Sequence, residues 1–446
     1  MKHLIKNMIF SIWDNKVHFF SLILLLLTSL SLTWGIFSAN ASFNETLTNW
    51  KLNSNASDAI LDLNASNFFS HKIAKDQIDD LKQLILSLQN EIKNNKEFKD
   101  ITFTYRDYRA YYDNKNNKKA LLIPYDDKTN DYAINNKVDK IFYKDVIPCN
   151  YENDRCVFLS TEYAKKSNIK VGDILDFNNF FSDENTKKTN DSDPDPYKFK
   201  VNGLANSFDV SYPKIDLIDT VPQTKNSEVC YINQNFLLNN SNDDYRTKSF
   251  ADRDQILLFH FPKDVNKARL SNKFYEQIIS KIWDNQKNIL PPEKLAFPTL
   301  GYYDKYNNKF ITNNLWYSRT TTLDYFVEYE NKISIIFLLS INLTIFFVVA
   351  IIARKRIDND EDNILIFKSL GFKKKSITFV YSFYPFVFAI FLSIFSLGFS
   401  FLFQKLLFSL FNNFFMVNIT KISFSWISFS IDICYYALFI SLFTFH

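Results

Sequence analysis

Charge is partitioned along this chain as if two solvents were being addressed. From Trp50 to Asn331 the sequence is dense in Asn, Lys, Asp and Tyr, whereas residues 18–39 and most of the chain after Ile333 are nearly free of charge. About 20 consecutive apolar residues suffice to cross ~30 Å of hydrocarbon, and four stretches meet that requirement: 18–39, 333–353, 377–403 and 426–445. Without water, backbone polar groups must be satisfied within the segment, so each stretch is expected to be a helix. The third is long enough to tilt and carries Pro385 and Gly398, both tolerated in membrane helices. Whole-chain averages conceal the partition, since 47% hydrophobic residues and a mean hydropathy of -0.16 describe an ordinary soluble protein.

Flanking cations orient the spans. Lys2, Lys6 and Lys16 precede the first, Arg354, Lys355 and Arg356 follow the second, and Lys373, Lys374 and Lys375 precede the third, which places these flanks in the cytoplasm. The expected fold class is therefore a multi-pass α-helical protein of the cell membrane with four transmembrane helices and a cytoplasmic N-terminus. A large α+β extracellular domain is inserted between helices 1 and 2. Residues 1–17 form the cytoplasmic N-terminal segment, 40–319 the extracellular domain, 320–332 a stalk, 354–376 a cytoplasmic coupling segment and 404–425 an extracellular loop. Ala39, Asn40 and Ala41 have the small-x-small form of a signal-peptide cleavage site. The apolar stretch of about 22 residues nevertheless exceeds the roughly 7–15 of a signal core, so retention of the first span is expected.

Within the outer region, "DAILDLNA" reads as a strand and residues 70–93 as a helix, with Ile78, Leu81, Ile85, Leu88 and Ile92 on one face. "DITFTY" reads as the next strand, and a second strand and helix pair appears at "DQILLFHF" and residues 264–284, separated by Pro262. Two such pairs at opposite ends of one region suggest a domain whose halves resemble each other. Between them lie the β-prone pieces "CVFLS", "DILDF", "YKFKVNGL" and "EVCYIN", and the polar run "DENTKKTNDSDPDP", which reads as a solvated hairpin loop because its spacing fits no EF-hand. No glycine or proline occurs between Gly301 and Gly371, so the chain from about Thr320 to Ala353 can run as one helix. That length, roughly 50 Å at 1.5 Å per residue, exceeds what a membrane needs and leaves a stalk that could carry motion.

The connection between the second and third spans is unusual for a loop. Asp358, Asp360, Glu361 and Asp362 suit the positive end of a helix. Ile364, Leu365, Ile366 and Phe367 make the helix apolar around most of its circumference, and Gly371 ends it in the left-handed conformation. A short greasy helix at the membrane surface needs two apolar neighbours, the bilayer and a partner protein.

Several chemistries are unsupported. A net charge of +4 is too small to argue for nucleic acid, and no basic stripe with interleaved aromatics is present. The histidines His3, His18, His71, His260 and His446 show no ligand spacing, so neither a metal site nor any catalytic residue is assigned. No pair among the six glycines has P-loop spacing, which puts any ATP on another chain. Cys149 and Cys156 could close a small disulfide loop or remain reduced, with Cys230 as a third participant.

"ARKRIDNDEDNILIFKSLGFKKKSI" resembles the signature between the second and third spans of FtsX-like ABC-transporter permeases: a basic cluster, a helix ending in Leu-Gly, and a basic turn. "CVFLSTEYAKKSNIKVGDILDF" followed by "YKFKVNGLANSFDVSYP" is similar to the core of the MacB-type external domain, in which a helix and the turn Val171-Gly172-Asp173 precede a strand ending in Val-x-Gly at Gly203. The resemblance implies that Ile364, Ile366, Phe367, Lys368, Leu370, Gly371, Phe372 and Lys373 sit against an ABC-type ATPase subunit, whose ATP-driven dimerisation moves the stalk. The family carries a glutamate where Asn363 stands, so a charged contact would fall to Glu361 or Asp362.

The implied function is the permease subunit of an ABC transporter or mechanotransmission complex, acting on a lipid, lipoprotein or peptide. The alternative is a membrane-anchored surface protein that binds or regulates an extracellular partner such as a hydrolase, without transport. An ATPase dimer presents two docking sites and this chain one coupling helix, while no Lys or Arg follows the fourth span. The chain is therefore expected to be the N-terminal part of a longer reading frame, or to require a second permease chain as a homodimer or heterodimer. In intact cells, a membrane-impermeant maleimide should label a cysteine placed at Asn190 and spare one placed at Asn359; labelling of the second from outside would sink the topology.

Overall fold

The computed structural model describes residues 16–63, 74–113, 116–125, 137–148, 155–177, 198–215, 221–233, 252–262, 266–285, 302–304, 309–311, 315–417, 419 and 422. The chain divides into a helical unit (Met1–Thr46, Tyr325–Phe411 and Ile419–His446) and an α/β unit (Leu47–Asp324 and Asn412–Asn418). Helix α1 (Lys16–Ser54) contains the first apolar stretch but continues well past residue 39, where the sequence reading ended it. Ala39, Phe43 and Leu47 are buried at every fourth position, the spacing of one helical face, which explains the extension through otherwise polar residues.

The α/β unit opens with β1 (Ala59–Asp62), α2 (Ala74–Asn94) and β2 (Thr102–Asp113). β3 (Lys118–Tyr125), β4 (Phe142–Lys144), β5 (Cys156–Leu159), α3 (Thr161–Lys166), β6 (Ile174–Asp176), β7 (Lys198–Asn206), β8 (Ser227–Asn233) and β9 (Asp252–His260) follow. The expected second long helix is broken into α4 (Lys267–Phe274), a π turn (Tyr275–Ile279) and α5 (Ser280–Asn285). Strands β10 (Tyr302–Asp304) and β11 (Lys309–Ile311) form a separate antiparallel pair.

Nine strands make one mixed sheet in the order β1-β9-β2-β3-β8-β5-β7-β4, with β6 on β7. β9 lies antiparallel between β1 and β2, so the two strand-helix units at opposite ends of the sequence interlock. β3 pairs parallel with β8, and β5 parallel with β7. The sequence reading passed over β3, whose run Ala120-Leu121-Leu122-Ile123 is buried on both faces and so shows no alternation. The run "DENTKKTNDSDPDP" lies outside the described residues.

Side-chain alternation sorts the cores. In β9, Leu257 and Phe259 join Leu84, Ile85, Leu88 and Ile92 of α2 and Leu270, Phe274, Ile278 and Ile282 of the second helical segment. Ile256 and Leu258, on the opposite face, join Tyr108, Leu121, Ile123, Val229 and Tyr231. The side chains of Ile78 and Leu81 lie outside the described ones.

After β11 the chain forms α6 (Leu315–Asn359), α7 (Glu361–Ser369) and α8 (Lys374–Phe411). At 45 residues α6 is about 67 Å long and starts before the expected stalk. α8 continues through 404–411, the beginning of the stretch expected to be an extracellular loop. Among the described residues, stretches within α1 (Ile23–Ser54) and α8 (Ile394–Phe411) are long and apolar enough to cross a membrane. The fourth apolar stretch, 426–445, lies outside the described residues.

Phe274 is fully buried, with ring contacts at 5.4 Å to Phe98 and 5.5 Å to Phe259. Phe274→Ala should destabilise the α/β unit by about 3–5 kcal/mol in denaturant titration. A loss below about 1 kcal/mol would mean that the two interlocked helices do not depend on this core.

Candidate functional site

In α6 and α8 the exposed side chains include Ile336, Phe337, Leu339, Phe399, Leu402 and Leu406, whereas Ser334, Ser396, Ser400 and Gln404 are buried. α1 buries Ser29, Ser31, Thr33, Ser38 and Ser42. Apolar outside and small or polar inside is the arrangement that suits hydrocarbon, where helix association relies on close packing and interhelical hydrogen bonds. Asn342 Nδ2 donates to Thr33 Oγ1 at 3.5 Å, and Ser29 Oγ donates to Asn342 Oδ1 at 3.4 Å. Gly35 lies so close to α8 that a Cβ there would sit 2.8 Å from Phe403 Cβ and 3.3 Å from the Ser400 carbonyl.

Within the connection between α6 and α8, Gly371 adopts φ +82. Its N–H donates to Lys368 O at 3.0 Å, and the N–H of Phe372 donates to Phe367 O at 3.1 Å. This pair of bonds is a Schellman cap, and its accompanying apolar contact is present as Phe367 and Phe372 rings 5.9 Å apart. Phe367 is buried with Ile377 against Ile364 and Phe372, so these residues hold α7 to the start of α8. The outward apolar surface is instead Leu365, Ile366 and Leu370, with Lys368 and Lys373 also exposed. Leu365 was not among the sequence-assigned contact residues. Only the side-chain packing separates the two sets, because the whole run is apolar.

A second site, not anticipated from the sequence, lies in the α/β unit at the turn Ser207–Tyr212 after β7. Asp209 is fully buried, 3.3 Å from Arg106 Nε, and accepts a hydrogen bond from the Tyr108 hydroxyl. Arg106 also donates to Asp139 O at 2.8 Å, and the Ser57 hydroxyl donates to the Asp139 carboxylate. Burial first, and then the Asp209 carboxylate, push the Asp139 carboxyl well above its ordinary range.

Three pieces of chain meet at this turn. From the end of α1, Trp50 makes an edge contact with Phe208 at 5.4 Å, and Lys51 lies over the same ring. At the beginning of α6, the Arg319 carbonyl accepts from Ser211 Oγ and Tyr212 N at 2.9 and 3.1 Å, and the Arg319 guanidinium stacks 4.9 Å from the Tyr108 ring centroid. From the segment after α8, Met416 N–H donates to Ser211 O at 2.7 Å and Phe415 packs on Tyr212. Lys51 and Asp324 form an ion pair at 2.6 Å that joins α1 to α6 directly.

Val171 and Gly172 form the corner of a turn in which Asp173 N–H donates to Lys170 O at 3.1 Å. Gly172 takes φ +99, as the third position of a type II turn requires. Gly203 is not part of that turn and does not end its strand, since β7 continues to Asn206. Its role is clearance: a Cβ there would fall 2.8 Å from the Phe158 ring and 3.1 Å from the Lys144 carbonyl. Cys156 is disulfide-bonded and Cys149 lies outside the described residues, while Cys230 is a buried thiol outside any disulfide. Among the described residues no cluster of three His, Cys, Asp or Glu could hold a metal ion.

Residues 333–445 match the family of the FtsX-like permease C-terminal domain, which takes in most of α6 and all of α7 and α8. A comparison with curated proteins returns no match. The matched stretch, about a quarter of the chain, supports a membrane permease of the FtsX-like kind, the type of subunit that works with an ATPase in ABC transporters.

Burial of Glu228 in β8 raises its carboxyl from 4.5 to about 7. The stability associated with its neutral form is complete below the unfolded value and is lost as pH rises through the folded one. The melting temperature should therefore fall between about pH 4.5 and 7 by an increment that Glu228→Gln removes. An unchanged slope in the variant would show that Glu228 does not set the pH dependence.

Proposed function

We propose that this chain is the permease subunit of an ABC transporter or mechanotransmission complex, crossing the cell membrane four times with its N-terminus in the cytoplasm. A separate ATPase subunit docks on α7, and its cycle moves the α/β unit, which lies outside and engages a lipid, lipoprotein or peptide. The observation that carries this reading is α7 itself. A nine-residue helix with Leu365, Ile366 and Leu370 exposed, held rigidly to α8 by a Schellman cap, has no use in a simple membrane anchor. Gly371 supports that rigidity, because a side chain in the left-handed region costs on the order of 1 kcal/mol.

The Lys170–Asp173 turn leading into the β6 and β7 pair is consistent with a MacB-type external core. The single coupling helix argues that a second permease chain completes the assembly, as a homodimer or a heterodimer. Membrane lipid covers the apolar outer faces of α6 and α8. ATP is bound by the partner alone.

Replacing Leu365 and Ile366 together with Asp should lower copurification of an ATPase subunit by tenfold or more while membrane insertion persists. The Phe367→Asp variant differs in kind, because it breaks the internal packing of α7 on α8. Wild-type recovery of the ATPase with the Leu365 and Ile366 pair replaced would contradict the docking assignment.

A further inference from the structure

The segment after α8 is built into the α/β unit more firmly than a connection between two helices requires. Connecting segments ordinarily run over the surface, where water satisfies their backbone. Here Phe415, Met416 and Val417 are buried, and Met416 joins the sheet-face core formed by Tyr108, Ile123 and Tyr231. At the other end of the segment, Lys166 Nζ donates to three oxygens: Asn412 O at 2.8 Å, Asn413 Oδ1 at 2.6 Å and Thr224 Oγ1 at 2.8 Å. Thr224 Oγ1 in turn donates to Asn412 O at 3.0 Å, and Thr224 N–H donates to Asn413 O at 2.9 Å. An ammonium has three protons to donate, and this site uses all of them.

Lys166 stands at the C-terminal end of α3, whose N-cap Ser160 accepts from Tyr163 N. That helix follows β5 directly, so the ammonium is mounted on a central strand of the sheet. Asn412 is the residue immediately after α8. Any displacement transmitted along α8 therefore reaches the clasp with no intervening flexible chain.

We propose that Lys166 is a positioning residue for force transmission: with Thr224 it clasps the 412–417 segment, making α8 a third mechanical tie to the α/β unit beside α1 and α6. The proposal rests on the permease reading.

The test uses the full-length protein in lipid nanodiscs, with the ATPase that copurifies with it. In Lys166→Met, hydrogen exchange at the Thr224 and Met416 amides should quicken about tenfold, with Val229 to Ile232 unchanged. Stimulation of ATP hydrolysis should fall at least threefold although the ATPase still copurifies. Lys166→Arg, which keeps charge and donors, should restore both readouts. Thr224→Val should act similarly and non-additively with Lys166→Met, which guards against a simple folding defect. Unchanged exchange in Lys166→Met would overturn the clasp. Faster exchange with full stimulation would overturn its part in transmission. If no ATPase accompanies the wild-type protein, the permease reading fails, and transmission with it, while the exchange measurement still decides whether the clasp exists.

Discussion

Within the α/β unit one buried charge organises the turn at which three pieces of chain meet. Asp209 has no exposure, and an isolated buried carboxylate is untenable unless paired and hydrogen-bonded. Arg106 and Tyr108, both from β2, meet that need and thereby hold the turn Ser207–Tyr212 against the sheet. The turn then offers Phe208 to α1, Ser211 and Tyr212 to the first turn of α6, and the Ser211 carbonyl to Met416. Removing one partner from a buried pair commonly costs about 3–5 kcal/mol, because the remaining charge stays desolvated. A turn held by such a pair is fixed to the sheet.

The helical unit solves the opposite problem. Its outer surface is apolar, so there is no hydrophobic gain from helix association in lipid, and specificity falls to close approach and interhelical hydrogen bonds. Gly35 permits the approach of α1 to α8, and the Asn342 amide between Ser29 and Thr33 joins α1 to α6. Phe43 stacks on Phe411, and Phe326 meets the same ring edge-on, so α1, α6 and α8 share one aromatic contact. These contacts, with the FtsX-like match over 333–445, support a membrane permease of the FtsX-like kind.

Local pattern made several elements readable: α2 from its 3.6-residue period, β9 from its apolar run bounded by Pro262, and the end of α7 from Gly371. Elements stabilised mainly by distant partners were harder to read. β3 lacks alternation because both of its faces are covered, and the extension of α1 crosses polar residues whose neighbours contact the sheet at Phe208. Which apolar side chains of α7 face outward was only half readable. Ile364 and Phe367 look as apolar as Leu365 and Ile366, yet packing against Ile377 turns the first pair inward.

By itself the sequence determined which stretches are apolar, which flanks are basic and where glycine ends a helix. These are properties of consecutive residues: hydropathy, charge and backbone freedom act over a few turns and need no partner. The tertiary structure alone decided that Asp209 lies beneath Arg106, that Arg319 stacks on Tyr108, and that Lys166 grips a segment nearly 250 positions further along the chain, at a separation of 246 residues to Asn412. The physical reason is desolvation. The free energy of a buried ammonium or carboxylate depends on which oxygens and protons surround it, and in this fold those come from strands and helices that only the mixed sheet brings together.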